Sequence, residues 1–498
     1  MQTQLLLEMA AEAFSDRPGY AGTSESLTYG EAFARAKRGA AYLAGLHGDK
    51  LIYLGANGCA LPLALFAAGL CGKPFAPINY RLADADLRKL FARAAPAIAI
   101  VDADMLARVD GVDGVTLISR NAFEAECADP AHQLADLPAV EQDVAVLLFT
   151  SGTTGEPKAA VLRHGNLASY VLSTVDFMAA DESEAALVSV PPYHIAGISA
   201  VLTGTYSGRR IVYLQTFAPD TWVHVAQTEK ITHAMVVPTM LGRILEHLEK
   251  TGLSLPALRA LSYGGGRMPQ SVIERAIRLL PHVDFVNAYG LTETSSTVAM
   301  LNPDDHRAAI ASDDPLVRRR LGSVGRVLPN LELEIRSSDG LTVLPAGQSG
   351  EVYVRGAQVA GEYLHRKVLR DDGWFATNDA GWLDEAGYLF VEGRLDDIIV
   401  RGGENISPGE VEDVLRLHPQ VVDVAVLGLP DDQWGERVAA VIVPNGAEPD
   451  VDELARWVKE RLRSTKTPET WKFRSQLPYN DSGKLLRRIL RAELAQEH

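Results

Sequence analysis

The stretch "LLFTSGTTGEPKAAVLRHGNL", Leu147 to Leu167, begins as an apolar run and breaks at Thr150 into six small or hydroxylated residues ending at Gly155. A strand that empties into such a loop exposes successive backbone N–H groups, and a nest of N–H groups binds anions. Thr150, Ser151, Thr153 and Thr154 add hydroxyl donors, Gly152 and Gly155 open the nest, and Lys158 brings a mobile positive charge. This is the chemistry of a phosphate grip. It is not a loop of G-x-x-x-x-G-K-[ST] order, because Glu156 and Pro157 stand between Gly155 and Lys158. A plain surface turn is the alternative, and the density of donors in one loop weighs against it.

Outward from the loop, helix-like and strand-like patterns alternate. "LTYGEAFARAKRGAAYLAGL" is helical in period and precedes the strand-like "DKLIYLGA"; "TWVHVAQTEKI" precedes "HAMVVPT", and "QSVIERAIRLL" precedes "DFVNAYG". Such alternation predicts an α/β fold with helix-covered mixed or parallel sheets. From about Gly322 the pattern changes to short alternating strands with Gly and Pro turns, which predicts a small β-rich subdomain over about 322–395. After Arg394 the chain reads strand, turn, helix, strand, strand, a compact α+β module of ordinary domain size. The division expected is a large N-terminal domain, 1–395, and a mobile C-terminal domain, 396–498.

The 498 residues exceed what one hydrophobic core serves, which also argues for at least two domains. A formal net charge of -16 excludes a general nucleic-acid binder, since phosphate-backbone binding needs clustered Lys and Arg. It does not exclude a small anion held by local groups. Three cysteines, Cys59, Cys71 and Cys127, form neither a disulfide framework nor a metal cluster, and point to reduced thiols in the cytoplasm. "MQTQLLLEMAAEAF" reads as an amphipathic surface helix, with Glu8 and Glu12 interrupting its apolar positions, and not as a signal peptide. No apolar run reaches the ~18 residues of a membrane span.

"TSGTTGEPK" resembles the signature loop of the adenylate-forming superfamily, which includes acyl-CoA synthetases, luciferases and nonribosomal adenylation domains, and further motifs follow in order. "VPPYHIAG" (Val190–Gly197) resembles the segment with an aromatic or histidine gate beside the carboxylate pocket, which would make His194 the gate. "SYGGGRMP" (Ser262–Pro269) resembles the turn lining the acyl pocket and one adenine face, through Gly264, Gly265 and Gly266. Relatives often carry a small residue or proline where Arg267 stands, so Arg267 is expected to face solvent or an anionic group of the substrate.

"NAYGLTETS" (Asn287–Ser295) resembles the Tyr-Gly-x-Thr-Glu core. The resemblance implies that Asn287, Ala288 and Tyr289 border the adenine, that Thr292 donates to the α-phosphate and that Glu293 ligates Mg2+. In "GWFATNDAGWLDEAGYLFVEGRLDD" (Gly373–Asp397) it implies that Asp379 and Arg394 hold the ribose hydroxyls. Many relatives have Thr-Gly-Asp where this chain has Thr377-Asn378-Asp379, and Asn tolerates the left-handed backbone of that glycine.

"RGGENISPGEVE" (Arg401–Glu412) follows the hinge position, Asp396. It implies a role for Gly402 and Gly403 along a thiol tunnel and for Asn405 near the nucleotide. "LPYNDSGKLLRR" (Leu477–Arg488) ends the series with Lys484, the adenylation lysine of the family.

The implied reaction is activation of a carboxylic acid, fatty or aromatic, by ATP with Mg2+, followed by transfer of the acyl group to coenzyme A. Loading of a separate carrier protein is the alternative, and a catalytically dead nucleotide binder a remote third. A homodimer is the commonest arrangement for a soluble chain.

Overall fold

The computed structural model describes residues 1–22, 25–132, 143–150, 158–364, 366–479 and 485–496. The two strands flanking residues 151–157 are antiparallel partners: Val144–Thr150 pairs with Lys158–Arg163, Thr150 opposite Lys158. They sit in an eight-stranded sheet that continues through Phe75–Pro77, Leu51–Leu54, Ala97–Val101 and Val115–Ser119. Those last four strands are parallel to one another and to Val144–Thr150. All five residues of Ala97–Val101 are buried, as a strand covered on both faces requires.

A nine-stranded sheet lies alongside. Its centre is parallel, running from Asp284–Leu291 through Ala260–Gly264, His233–Val236, Ala185–Val188 and Arg210–Tyr213 to Pro18–Ala21. Antiparallel strands close both edges: Ser296–Leu301 with Arg326–Val327 at one, Ser26–Thr28 at the other. One core joins the sheets, with Tyr20 and Tyr213 from the nine-stranded sheet, Leu51 and Phe75 from the other, and the helices Ala60–Leu70 and Ile195–Ser207 between them. Ala60–Leu70 is buried at every position, which its uniformly apolar sequence permits.

Local signals fix the helix ends. Thr28 and Glu31 form a capping box that opens Tyr29–Ala44. Pro238 starts Pro238–Thr251, and Gly252 ends it at φ +68°. The amphipathic N-terminal helix is Leu5–Ala13, with Leu6, Leu7, Ala10 and Ala11 inward. Among the described residues no helix is long and apolar enough to cross a membrane.

The 322–395 stretch is β-rich but not self-contained. Four of its strands, Glu332–Arg336, Gly350–Arg355, Phe375–Leu383 and Leu389–Arg394, make their own sheet. Arg326–Val327 instead edges the nine-stranded sheet, and Glu362–Tyr363, with Arg366–Lys367 outside it, extends the eight-stranded one beside Lys158–Arg163. Short strands carry no sequence signal for which sheet they join, since register and neighbours come from tertiary packing.

Beyond the single turn Leu395–Asp397, an α+β unit follows: strands Ile399–Arg401, Glu404–Ile406, Val421–Asp431, Gly435–Pro444 and Thr470–Phe473 with helices Pro408–Arg416, Val451–Lys459 and Arg487–Gln496. The turn expected after Arg401 is the tip of a hairpin whose second arm, only three residues long, was not readable by periodicity. Glu412 lies inside this unit, 3% exposed, and accepts from Arg487 at 2.5 Å. Burial alone would raise its pKa, but Arg487 and Arg416 beside it hold it below the ordinary range.

Candidate active site

In parallel sheets, ligands bind at the carboxyl ends of the strands, and several of the residues expected at the nucleotide lie there. Ala260–Gly264 ends in the glycine turn, where a Cβ on Gly264 would come within 2.3 Å of the Ala288 carbonyl oxygen. The close approach that demands glycine at this position is therefore to the neighbouring strand. Gly265 needs glycine for another reason, its φ of +78°, and Gly266 is exposed.

On the next strand Asn287 is buried, and its amide donates to the Ser323 carbonyl at 3.0 Å. That side chain braces the strand against the following loop, a use the motif did not disclose. Ala288 sits opposite Gly264. Tyr289 points its hydroxyl to Asp379, donating to Oδ2 at 2.6 Å. Burial and the Asp379 charge both raise the Tyr289 phenol, so it stays a donor.

Asp379 and Arg394 face each other across paired strands, with Arg394 Nη1 3.0 Å from Asp379 Oδ1. The same nitrogen donates to the Thr377 carbonyl at 3.0 Å, and the Asp379 N–H donates to Thr377 Oγ1 at 3.1 Å. Asn378 sits between them at φ +59°, the left-handed conformation expected of a residue standing in for glycine. Its Nδ2 donates to Asp396 Oδ2 at 3.2 Å, which ties this turn to the start of the C-terminal unit.

Thr292 and Glu293 lie in a single 3-10 turn, Thr292–Thr294, both half-buried. The turn is locked by Thr294, whose Oγ1 donates to the Leu291 and Ser296 carbonyls, and by the left-handed Ser295 at φ +56°. Glu293 receives a short hydrogen bond on Oε1 from the Tyr363 hydroxyl. Burial, then the adjacent Glu293 charge, raises the Tyr363 phenol well above its ordinary range. Lys158 Nζ stands 5.8 Å from the centre of the Tyr363 ring, within cation–π reach. One tyrosine thus touches both the lysine of the opening motif and the carboxylate expected to ligate metal.

His194 precedes the helix Ile195–Ser207 and is half-buried in a file of rings, 4.7 Å from Tyr193, which is itself 5.4 Å from Tyr80. Arg267 is exposed at the surface, between the glycine turn and the C-terminal unit. Its Nη2 pairs with Asp413 Oδ2 at 2.5 Å, on the first helix of the C-terminal unit. Asp396 is exposed in the connecting turn. The hairpin tip Gly402–Gly403 is exposed too, with the Gly402 N–H donating to the Trp434 carbonyl at 2.7 Å, and Asn405 is exposed on the second arm. Ser151, Gly152, Thr153, Thr154, Gly155 and Lys484 lie outside the described residues, and Thr150 is described only as the last residue of its strand.

Residues 7–364 match the model of the AMP-binding enzyme family, and residues 410–484 match that of the AMP-binding enzyme C-terminal domain. The chain belongs to the AMP-binding enzyme family. As such an enzyme it is 35% identical over 473 residues to a feruloyl-CoA synthase of an Amycolatopsis species, covering 93% of both chains. It is 32% identical over 469 residues to an indoleacetate–CoA ligase of Aromatoleum aromaticum, covering 91% of this chain and 89% of the other. An o-succinylbenzoate CoA synthetase of Bacillus subtilis, solved with its acyl-adenylate intermediate, superposes with a TM-score of 0.84 at 29% identity over 98% of each chain. The same synthetase has been solved with ATP and a magnesium ion. The fold of this AMP-binding enzyme is accordingly that of the adenylate-forming superfamily.

Two residues of this AMP-binding enzyme escaped the sequence reading. Tyr363 follows Glu362 in a two-residue strand without periodicity, and Asp413 is one of three acids, with Glu410 and Glu412, on the helix Pro408–Arg416.

Proposed function

We propose that this AMP-binding enzyme is an ATP-dependent acid–CoA ligase acting on a carboxylic acid that carries an aromatic ring. The observation that carries the reading is the convergence of the Asp379–Arg394–Tyr289 set and the Glu293–Tyr363–Lys158 set on one end of the sheets. The first set offers a carboxylate and a guanidinium to vicinal hydroxyls. The second offers a carboxylate and an ammonium to phosphates.

The reaction brings two anions together, so charge neutralisation is its main demand. Glu293 is half-buried with one oxygen engaged by Tyr363, and a lone carboxylate beside phosphate oxygens is a donor set that Mg2+ accepts. Bound there, Mg2+ supplies neutralisation of phosphate charge. Thr292 donates to the α-phosphate. The hydroxyls of Thr150, Ser151, Thr153 and Thr154, with the nest around Gly152 and Gly155, hold the β- and γ-phosphates, and Lys158 lends them charge.

A substrate carboxylate oxygen attacks the α-phosphorus and the bond to the β-phosphate oxygen breaks, releasing pyrophosphate. Lys484 bridges carboxylate and α-phosphate as charge builds. The thiol of coenzyme A then attacks the acyl carbon and AMP departs. The two steps need different surfaces at one site, so the domain 396–498 turns about Asp396, a hinge closure of known kind. That turn withdraws Lys484 and brings the Gly402–Gly403 tip and Asn405 to the nucleotide.

An aromatic acid is supported by the ring file Tyr80–Tyr193–His194 and by the acids named for the relatives. A cytoplasmic location is supported by the cysteines: Cys59, Cys71 and Cys127 are all free thiols, joined in no disulfide. The test is CoA-dependent AMP release across hydroxycinnamic, arylacetic, benzoic and fatty acids. The reading requires the aryl acids to be turned over best. AMP release indifferent to CoA but stimulated by a carrier protein would overturn the acceptor, and preference for fatty acids would overturn the substrate class.

A further inference from the structure

Backbone and side-chain contacts from two sheets converge on the short segment Ala360–Leu364. The Ala360 and Gly361 N–H groups donate to the Glu293 carbonyl at 2.8 and 3.2 Å. The Leu364 N–H donates to the Ala159 carbonyl at 2.8 Å, one residue past Lys158, and Tyr363 pairs with Ala160. Glu362 receives a forked pair of bonds from Arg163, at 3.0 and 2.9 Å to the same oxygen. The segment is thereby fastened to the eight-stranded sheet on one side and to the 292–294 turn of the nine-stranded sheet on the other. At its centre stands Tyr363, with its hydroxyl on Glu293 Oε1 and its ring under Lys158 Nζ.

We infer that Tyr363 is a positioning residue for the metal carboxylate: its hydroxyl fixes the rotation of Glu293 so that the other oxygen faces the metal bound with ATP, while its ring keeps Lys158 on the phosphate side. The inference rests on the proposed role of Glu293. A glutamate carboxylate at the end of three rotatable bonds loses conformational freedom on binding metal, and a fixed hydrogen-bond donor removes that cost beforehand. Partners of this kind typically change metal affinity by about 10–100-fold when removed. Phenylalanine at 363 deletes the hydroxyl and keeps the ring, the strand pairing and the contact with Lys158.

The test measures ATP binding by calorimetry to the full chain, with Mg2+ and with EDTA, and Mn2+ binding in the presence of ATP by electron paramagnetic resonance. Tyr363→Phe is expected to weaken Mn2+ binding about tenfold, to weaken Mg–ATP binding, and to leave metal-free ATP binding and the melting temperature unchanged. Tyr363→Leu, which also removes the ring, should weaken metal-free ATP binding as well. Glu293→Gln separates the two claims. If Glu293→Gln abolishes Mn2+ binding and Tyr363→Phe leaves it as in the parent, the positioning role of Tyr363 is wrong. If Glu293→Gln itself leaves Mn2+ binding intact, the metal reading of Glu293 falls and the inference falls with it. An equal loss of ATP affinity with and without metal in Tyr363→Phe would mean a merely structural residue and also overturn the inference.

Discussion

Arg267 and Asp413 form an ion pair across the two domains, Nη2 to Oδ2 at 2.5 Å, in the orientation where the Gly402–Gly403 tip is exposed. The pair is partly exposed, and such pairs are worth about 0.2–1 kcal/mol. The proposed turn of the C-terminal domain about Asp396 breaks it. Arg267→Ala or Asp413→Asn is therefore expected to shift the balance of orientations by at most about fivefold, slowing pyrophosphate exchange by that factor and leaving thioester formation from added acyl adenylate unchanged or faster. Equal slowing of both half-reactions would show that the pair has no part in the choice between orientations.

Asp396 sits in the one-turn connection between the small sheet and the C-terminal unit. Proline there fixes φ near -65° and removes the backbone freedom a rotation needs. Asp396→Pro should retain most of the pyrophosphate exchange and lose thioester formation. Separate assay of the two half-reactions decides the matter.

Asn378 holds φ +59° and reaches Asp396 through Nδ2. Alanine in a left-handed position costs about 1–2 kcal/mol, and the strain falls on the residue next to Asp379. Asn378→Ala should lower thermal stability and ATP affinity together. Asn378→Gly relieves the backbone and loses only the tie to Asp396, so its ATP affinity should stay near the parent value. Titration of both variants with ATP distinguishes strain from the lost hydrogen bond.

His164 accepts the Thr3 N–H on Nδ1 at 3.1 Å, joining the N-terminal segment to the end of the strand that begins at Lys158. Burial lowers its pKa from 6.5 to about 4. Above pH 6.5 the ring is neutral in both folded and unfolded chains, and no stability is lost. As the pH falls from 6.5 towards 4 the unfolded chain binds a proton that the folded chain refuses, which costs about 1.4 kcal/mol per pH unit and about 3 kcal/mol across the window. Denaturant unfolding of the parent at pH 7.5 and 5 should differ more than that of His164→Gln. Identical pH dependence in the two would remove His164 from the account.

The loop proposed to hold phosphates, the Tyr-Gly-x-Thr-Glu run and the aspartate proposed for the ribose stand out in the sequence because each such chemistry admits few residue types in few orders. Asn378 was legible for a backbone reason, as the residue that best replaces a left-handed glycine. The Tyr363–Glu293 bond spans 70 positions and the Arg267–Asp413 pair 146, and no local pattern announces either. Asn287 shows a use that its motif does not disclose: its buried amide donates to the Ser323 carbonyl. The alternation of helix and strand gave the layered architecture, whereas the two-residue strands 326–327 and 362–363 took their sheets from packing alone.

Lys158 belongs to one sheet, Glu293 to a turn between two strands of a second and Asp379 to a third, and Ala360–Leu364 is the strap between the first two. No contiguous fragment shorter than most of the N-terminal domain contains a whole phosphate site. A chain emerging during synthesis, or one cut in a loop, therefore holds the lysine long before it holds the carboxylates. On the proposed roles, competence to split ATP waits for all of these and for Lys484 in the domain that follows, so it is a property of the whole chain and of no piece of it.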